Sequence, residues 1–215
     1  WSPGAGLYRK VRHITQPQVH VPVWGTYVTT PHIGKEHAVV SVRTKIEGVE
    51  KGSAVTLKTR ILDAGGHAVA CVTDTRLLHF GEIEQTLTVK DPALWSPENP
   101  VLYFVETEVY AGGSVDTDWD MDRPEISIAD GTVPCDKVST RFGFRTIEII
   151  PDKGFFLNGE ARKFRGVCLH HDLGPLGAAI NKAAIRRQLT MLKDMGCDAI
   201  RTSHNMPAEE LIELC

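Results

Sequence analysis

The feature that most restricts the fold is a strand–helix–strand–helix pattern in the last third of the chain. A strand is predicted over residues 163–169, and a helix follows from the N-cap Asn181 to the terminating Gly196. The helix is indicated by apolar residues at helical spacing: Ile185, Leu189, Leu192 and Met195. A second strand over residues 197–202 and a second helix opening at Pro207, with Glu209 and Glu210 in its first turn, complete the pattern. Two consecutive strands joined by a helix run parallel, so the sequence predicts a βαβ unit.

Such a unit is compatible with the start of a (β/α)8 barrel or of a doubly wound sheet. A barrel takes about 250 residues, whereas only 65 residues follow Ile150. We therefore expect this half to be incomplete and the chain to be a fragment of a larger protein. The chain begins at Trp1 without a methionine, so we expect its start to be a cut that could have removed a targeting sequence. The sequence is compatible with a protein of the bacterial cytoplasm and with one that is periplasmic or secreted.

The first two-thirds of the chain shows the two-residue periodicity of β-strands. Over residues 54–64 the face-sharing residues are Val55, Leu57, Thr59 and Ile61, and similar patterns occupy residues 36–48, 82–89, 101–110 and 136–150. Gly65-Gly66 predicts a two-residue hairpin, and Asn158-Gly159 predicts another. About seven short strands without a helical pattern predict an immunoglobulin-like β-sandwich over residues 18–146.

The charge and composition of the chain argue against two classes of binding partner, nucleic acids and membranes. The net charge is −3 with both signs mixed along the chain, so neither a nucleic-acid surface nor a polybasic membrane patch is expected. No apolar run approaches the roughly 18 residues of a membrane span. The cysteines are odd in number, widely spaced and without a CxxC pair, which predicts buried free thiols at Cys71, Cys135, Cys168, Cys197 and Cys215.

Two polar clusters follow the two predicted parallel strands. The first contains His170, His171 and Asp172, and the second runs from Arg201 through His204 to Asn205. Residues at the carboxyl ends of parallel strands line the active-site mouth of α/β barrels. Because adjacent strands lie about 4.8 Å apart, side chains of both clusters are expected to reach one bound molecule. Histidine and arginine donate directed hydrogen bonds, which suits a polyhydroxylated or anionic ligand.

Other interpretations of these residues stay open. A single histidine after a strand is more often a surface or helix-capping residue than a catalyst. A metal-dependent hydrolase would use His170, His171 and His204 as ligands, but adjacent histidines on an extended segment point to opposite faces. A non-catalytic binding or adhesion module built on the sandwich is a further alternative.

Two loop motifs are interpreted as structural. The acidic stretch over residues 116–122 lacks the sixth-position glycine and the twelfth-position carboxylate of a calcium loop, so a solvated insertion is predicted there. The GPLG segment over residues 174–177 lacks the spacing of a phosphate-binding loop.

The segments RGVCLHHD and DAIRTSHNMP, in this order, resemble the opening of the catalytic barrel of glycoside hydrolase family 2. LWSPENPVLY resembles the corner of that family's sandwich domain, and RFGFRTIEI resembles the link into its barrel. WSPGAGLYRKV resembles the end of its amino-terminal jelly-roll domain. The resemblance implies a mainly β fold, an immunoglobulin-like sandwich followed by the first βα units of a truncated (β/α)8 TIM barrel. It divides the chain into residues 1–17, the tail of a jelly-roll sugar-binding domain, residues 18–146, the sandwich, and residues 147–215, the incomplete barrel.

The resemblance also implies a site for a carbohydrate substrate. His170, His204, Arg201 and Asn205 correspond to substrate-binding positions, and His171 and Asp172 correspond to residues that surround them. Cys168-Leu169 stands where many relatives have Asn-Arg, so this sequence departs from the family pattern there.

The implied activity is that of a retaining, β-galactosidase-like glycosidase that hydrolyses O-glycosidic bonds. Such enzymes use two carboxyl groups about 5 Å apart. The glutamates after the barrel begins do not follow a parallel strand: Glu160, Glu209, Glu210 and Glu213. Both catalytic glutamates are expected beyond Cys215, so this chain alone is expected to be inactive. Two questions about the whole protein stay open: whether it uses a divalent cation and whether it forms a homo-oligomer.

Overall fold

The computed structural model describes residues 6–50, 52–77, 81–111, 128 and 132–215. The acidic stretch 116–122 lies outside the described residues. The chain divides into two compact units. One contains Thr15–Glu148 with Phe156–Glu160, and the other contains the described residues up to Ile14, together with Ile149–Phe155 and Ala161–Cys215. The predicted domain limits at residues 17 and 146 remain predictions.

The first of these units is built on two antiparallel sheets. Its strands are β1 (Thr26–Ile33), β2 (His37–Lys45), β3 (Ala54–Leu62), β4 (Ala68–Leu77), β5 (Glu82–Lys90), β6 (Tyr103–Ala111) and β7 (Asp136–Phe142). One sheet has the order β1-β2-β5 and the other β4-β3-β6-β7. The fourth strand thus pairs with the third instead of the fifth, a variant of the immunoglobulin arrangement. The predicted sandwich is confirmed.

Alternating side chains of both sheets form the sandwich core. The predicted inner face of β3 is fully buried at Val55, Leu57, Thr59 and Ile61. The aromatic part of the core is Phe144, whose ring lies edge-on to Tyr103 with centroids 4.8 Å apart. A buried polar link also joins the sheets, because the Thr59 hydroxyl donates to Gln85 Oε1 over 2.6 Å. Since a buried amide left unpaired is costly, this link favours one register of β3 against β5.

Three details of the chain were predicted wrongly, two of them in the backbone of the sandwich. The turn after β3 is not a two-residue hairpin: Asp63 Oδ1 accepts hydrogen bonds from the backbone N–H groups of Gly65 and His67, which makes a longer loop. The predicted strand 136–150 breaks after β7, where the Trp95 N–H bonds to the Phe144 carbonyl over 2.7 Å. A separate strand β8 (Ile147–Ile150) follows.

The third wrong detail is the burial of the cysteines. All five are free, but Cys71, Cys135, Cys168 and Cys215 are exposed and Cys197 is half-buried.

After the sandwich comes a small sheet with β8, β9 (Gly154–Leu157) and β10 (Glu160–Ala161) in the order β10-β9-β8. Asn158 and Gly159 join β9 to β10 with φ values of 53° and 80°. Two consecutive positive φ values are those of a type I′ turn, so the predicted Asn-Gly hairpin is confirmed.

The predicted βαβ unit is confirmed in the remaining residues. They form β11 (Gly166–Cys168), a 3-10 turn (Gly174–Leu176), α1 (Lys182–Asp194), β12 (Ala199–Arg201) and α2 (Glu209–Leu214). Asn181 caps α1, since its side-chain oxygen accepts the Ala184 N–H over 3.0 Å. Of the predicted apolar stripe only Ile185 is fully buried, whereas Met195 is 70% exposed.

The outer face of the β3-β6-β7 sheet carries a partly buried charge cluster. The Arg60 guanidinium donates to Glu106 and, over 2.9 Å, to Glu108. Lys137 lies 2.9 Å from Glu106, and the Tyr110 hydroxyl donates to Glu108. The hydrogen bond from Lys137, followed by that from Arg60, lowers the pKa of Glu106. Burial alone would raise the pKa of Glu108, but the bond from Tyr110 and the charges of Arg60 and Lys137 lower it.

We expect Arg60→Ala to lower the free energy of unfolding by about 1–3 kcal/mol at pH 7, since two carboxylates lose a charged hydrogen bond. A carboxyl with a lowered folded-state pKa stabilises the fold above its ordinary pKa of 4.5 and stops doing so as the pH falls. The difference between wild type and Arg60→Ala should therefore shrink below pH 4.5. Urea denaturation at pH 7 and pH 4 measures both values.

A matched control is Arg43→Ala, which removes an ion pair 3.6 Å long between two half-exposed side chains. Its cost should stay below about 1 kcal/mol at either pH. Equal losses for the two variants would contradict a stabilising role for the Arg60 cluster.

Candidate functional site

The parallel pair β11–β12 brings the two polar clusters together. Gly166 lies opposite Ala199, Val167 opposite Ile200, and Cys168 opposite Arg201. The Leu169 N–H extends the pairing by donating to the Arg201 carbonyl over 2.8 Å. The segments that follow the two strands therefore start at the same level of the sheet.

A glycine permits this close pairing. A Cβ added to Gly166 would lie 2.3 Å from the Ala199 carbonyl oxygen, which is far inside van der Waals contact. Only a residue without a side chain fits here while β12 keeps its distance.

The amino ends of the strands are held by Asp198. Its carboxylate accepts the Arg165 backbone N–H over 2.8 Å and the Arg162 guanidinium over 3.1 Å. The backbone hydrogen bond from Arg165, with the bond from Arg162, lowers the pKa of Asp198. The carboxylate thus stays charged and fixes the register at the end opposite the polar clusters.

His170 and His204 face each other at the carboxyl ends. Their ring centroids are 6.3 Å apart, the planes are nearly perpendicular, and both side chains are exposed. The predicted meeting of the two clusters is thereby observed. The two clusters therefore present their histidines at the same edge of the sheet.

His204 is presented by an unusual turn. Asn205 N–H donates to the Thr202 carbonyl over 3.0 Å, and the two central residues, Ser203 and His204, have φ values of 40° and 56°. Both central residues are left-handed, which non-glycine residues rarely adopt. Ser203 is fully buried, and the Asn205 side chain donates back to the Ser203 carbonyl over 3.1 Å. The turn is therefore fixed from within and directs His204 outward.

The other predicted residues have different surroundings. The Arg201 guanidinium lies over Cys168, with 3.9 Å between Nη1 and Sγ, so it sits beside the histidine pair. Asp172 accepts the Gly174 N–H over 2.8 Å and shapes its own loop. His171 points away from the sheet edge toward the Met206 carbonyl, 2.8 Å from Nε2.

Sequence reasoning missed Arg9. Its Nη2 lies 2.8 Å from His171 Nε2 and donates to the Met206 carbonyl over 2.6 Å. The two residues are 162 positions apart, and no motif around Arg9 signals the contact. The sequence had instead assigned Arg9 to the tail of a preceding domain.

A cavity of about 40 Å³ lies beneath the loops, lined by Leu169, His171, Ile185, Thr202 and Leu211 among others. At about 30 Å³ per water molecule, it holds a water but not a sugar ring. Within the described residues there is no group of three or more His, Cys, Asp or Glu side chains arranged to hold a metal ion.

Comparison with known proteins decides the family. The family model "Glycosyl hydrolases family 2" matches residues 19–121, and "Glycosyl hydrolases family 2, TIM barrel domain" matches residues 148–215. The chain belongs to glycosyl hydrolase family 2. In this family-2 chain the βαβ unit is the start of a TIM barrel, so the doubly wound alternative is excluded.

Relatives of this family-2 chain are similar along its whole length. It is 39% identical to Beta-galactosidase BoGH2A of Bacteroides ovatus, covering 100% of this chain and 24% of that protein. The structure of a family-2 member from Bacteroides cellulosilyticus superposes with a TM-score of 0.82 at 33% identity, over 100% of this chain and 28% of that one. A Bacteroides uniformis beta-glucuronidase superposes with a TM-score of 0.76 at 27% identity, over 93% of this chain and 23% of that one. The family-2 chain thus spans about a quarter of the length of these proteins.

Four glutamates follow β8, and three of them form ion pairs. Glu210 is buried against Lys10 at 2.6 Å, and the hydrogen bond from Lys10 lowers its pKa. Glu209 pairs with Arg12, Glu213 pairs with Lys182, and Glu160 lies in β10. None of the four stands at the carboxyl end of β11 or β12. In the part of the chain that the structure describes, no helix is long and apolar enough to cross a bilayer.

We expect Gly166→Ala to destabilise the barrel segment by about 1–3 kcal/mol, because the new methyl group overlaps the Ala199 carbonyl and overpacks the strand pair. Displacement of β11 should also raise hydrogen exchange at Leu169, whose N–H bonds to Arg201. Hydrogen-exchange mass spectrometry of the peptides over residues 163–173 and 197–206 measures this effect.

The control is Gly174→Ala, where the added Cβ meets nothing within 4 Å but the φ of 65° is strained. It should cost about 1 kcal/mol and leave exchange around β12 unchanged. Normal exchange in Gly166→Ala would refute the close-approach argument.

Proposed function

We propose that this chain contributes one wall of the sugar-binding pocket of a retaining β-glycosidase. The observation that carries the proposal is the His170–His204 pair, with ring centroids 6.3 Å apart at the carboxyl ends of adjacent parallel strands. That edge of a TIM barrel is where active sites form. Two imidazoles at one edge suit a ligand with several hydroxyl groups, because imidazole nitrogens donate and accept hydrogen bonds.

Each side chain of the wall has a proposed role. His170 and His204 bond to sugar hydroxyls directly. Arg201 supplies a fixed positive charge beside them, and its contact with Cys168 Sγ limits the directions in which it extends. Asn205 closes the turn that presents His204 and offers its amide near the same edge. His171 and Asp172 organise the loop after β11 instead of binding the sugar.

The chemical step requires carboxyl groups from elsewhere in the whole protein. A retaining glycosidase uses a nucleophile and an acid/base about 5 Å apart, one on each side of the scissile bond. Glu209, Glu210 and Glu213 each have a basic partner on or beside α2. The residues of this chain therefore bind and orient the sugar, and the chain alone is inactive.

A β-galactoside is the proposed substrate. The support is the 39% identity to a Bacteroides ovatus protein named as a beta-galactosidase, against 35% to a Formosa agariphila protein named "Putative beta-glucuronidase". A glucuronide differs by a carboxylate on the sugar, so comparing the two aryl glycosides tests this choice directly.

We expect His170→Ala and His204→Ala, made in the whole protein, each to lower kcat/KM for an aryl β-galactoside by about 10- to 100-fold. The reason is that one hydrogen bond to a charged or polarised partner is worth about 1.5–3 kcal/mol. Steady-state kinetics with aryl β-galactoside and β-glucuronide substrates measure the effect.

The matched control is His67→Ala, which removes an exposed histidine of the sandwich unit whose ring pairs with Asp63 in its own turn. It should leave kcat/KM within about twofold of wild type, a small change on the free-energy scale. Activity abolished by chelation and restored by zinc would favour a metal-dependent hydrolase instead. Sugar binding without hydrolysis would favour a non-catalytic module.

A further inference from the structure

The segment around Arg9 bonds to both loops of the candidate site. Arg9 Nη2 lies 2.8 Å from His171 Nε2, in the loop after β11. The same nitrogen donates to the Met206 carbonyl over 2.6 Å, and Nη1 donates to the Pro207 carbonyl over 3.3 Å, both in the loop after β12. One planar guanidinium therefore bridges the two loops. All of these residues belong to the same compact unit.

The two loops stay joined in either neutral form of the His171 ring. A single ring nitrogen cannot accept a hydrogen bond from Arg9 and also donate one to Met206. In one tautomer His171 Nε2 accepts from Arg9, which also donates to Met206 and Pro207, so Arg9 joins the loops. In the other tautomer His171 Nε2 donates to the Met206 carbonyl, 2.8 Å away, and joins the loops directly. The bridge through Arg9 therefore belongs to the tautomer whose Nε2 accepts.

Neighbouring residues keep Arg9 in place. Lys10 forms an ion pair of 2.6 Å with Glu210, whose side chain is only 8% exposed. Arg12 also pairs with Glu209 on α2, but both side chains are half-exposed, so this pair adds little to the anchor. The Tyr8 ring lies under the Arg9 guanidinium, 5.7 Å from centroid to carbon. The segment is therefore anchored on α2 while Arg9 extends to the loops that precede it.

We propose that Arg9 is a positioning residue for the sugar site. His171 directly follows His170, and Met206 lies two residues after His204, so the bridge acts within two residues of each of the facing histidines. It fixes the spacing of the histidine pair without touching the ligand. An arginine suits this task because its flat fork of five N–H donors binds one ring nitrogen and two carbonyls at once. This inference rests on the proposed function, since it assigns Arg9 a part in the same pocket.

The test is a double-mutant cycle in the whole protein with Arg9→Ala, His171→Ala and the double variant. Arg9→Ala should lower kcat/KM for an aryl β-galactoside by about 10-fold or more, and kcat should fall more than KM rises, because misplaced groups lose transition-state contacts first. If Arg9 acts through the loop bridge, the double variant should lose little more than the worse single variant. Strictly multiplicative losses would overturn the proposal.

Arg12→Ala is the control, because it removes a half-exposed pairing from the same segment without reaching a loop. It should leave kcat and KM within about twofold of wild type. Arg9→Lys keeps the charge but not the planar fork, and should give an intermediate loss of kcat if the fork matters. An Arg9→Lys variant as active as wild type, or an Arg12→Ala variant as impaired as Arg9→Ala, would refute the proposal.

Hydrogen exchange separates this inference from the proposed function. Arg9→Ala, or Arg9→Lys where alanine prevents folding, should raise exchange in both peptides over residues 168–173 and 202–208, and Arg12→Ala should not. If the wild-type protein hydrolyses neither glycoside, the proposed function fails while this measurement still decides whether Arg9 joins the loops. Unchanged exchange in both Arg9 variants would disprove the bridge even in an active glycosidase.

Discussion

The parallel pairing of β11 and β12 is the constraint on which the candidate site depends. Only three residue pairs form the ladder, and the approach is close enough that a methyl group at Gly166 would overlap the Ala199 carbonyl. At the amino ends, Asp198 accepts from Arg162 and the Arg165 backbone, so the strands cannot slide past each other without breaking charged hydrogen bonds. The position of His170 relative to His204 follows from this register. The short ladder is thus fixed at its amino end, where the Gly166 contact and the Asp198 carboxylate lie side by side.

Much of the fold follows from local sequence rules because those rules act over a few residues. The alternation in β3 predicted its buried face, Asn181 predicted the start of α1, and Asn158-Gly159 predicted a type I′ hairpin. The strand β1 was not recognised, because Pro31 interrupts its pattern at a point where the pairing with β2 also shifts register. The break at Gly143 was missed for a different reason. It is set by a backbone bond between Trp95 and Phe144, far apart in sequence.

Some residues of the candidate site were predictable from the local sequence, whereas others depend on contacts between distant parts of the chain. His170, His204 and Arg201 were identified because they directly follow predicted parallel strands, and that position is readable from the sequence. Arg9 and Lys10 were not, since their partners His171 and Glu210 lie about 160 to 200 positions later. Long-range polar contacts leave no periodicity in the sequence. Buried Glu210 illustrates the point: helix rules explain its place in the first turn of α2, but only the folded chain shows its ion pair with Lys10.

The turn that presents His204 connects backbone strain with the geometry of the site. Two adjacent non-glycine residues in left-handed conformations cost about 1–3 kcal/mol each. Two hydrogen bonds offset that cost: the Asn205 N–H donates to the Thr202 carbonyl, and the Asn205 amide donates to the Ser203 carbonyl. A relaxed turn would send the chain in another direction after β12 and separate His204 from His170. The strained conformation is therefore what allows two short strands to hold a pair of histidine rings 6.3 Å apart.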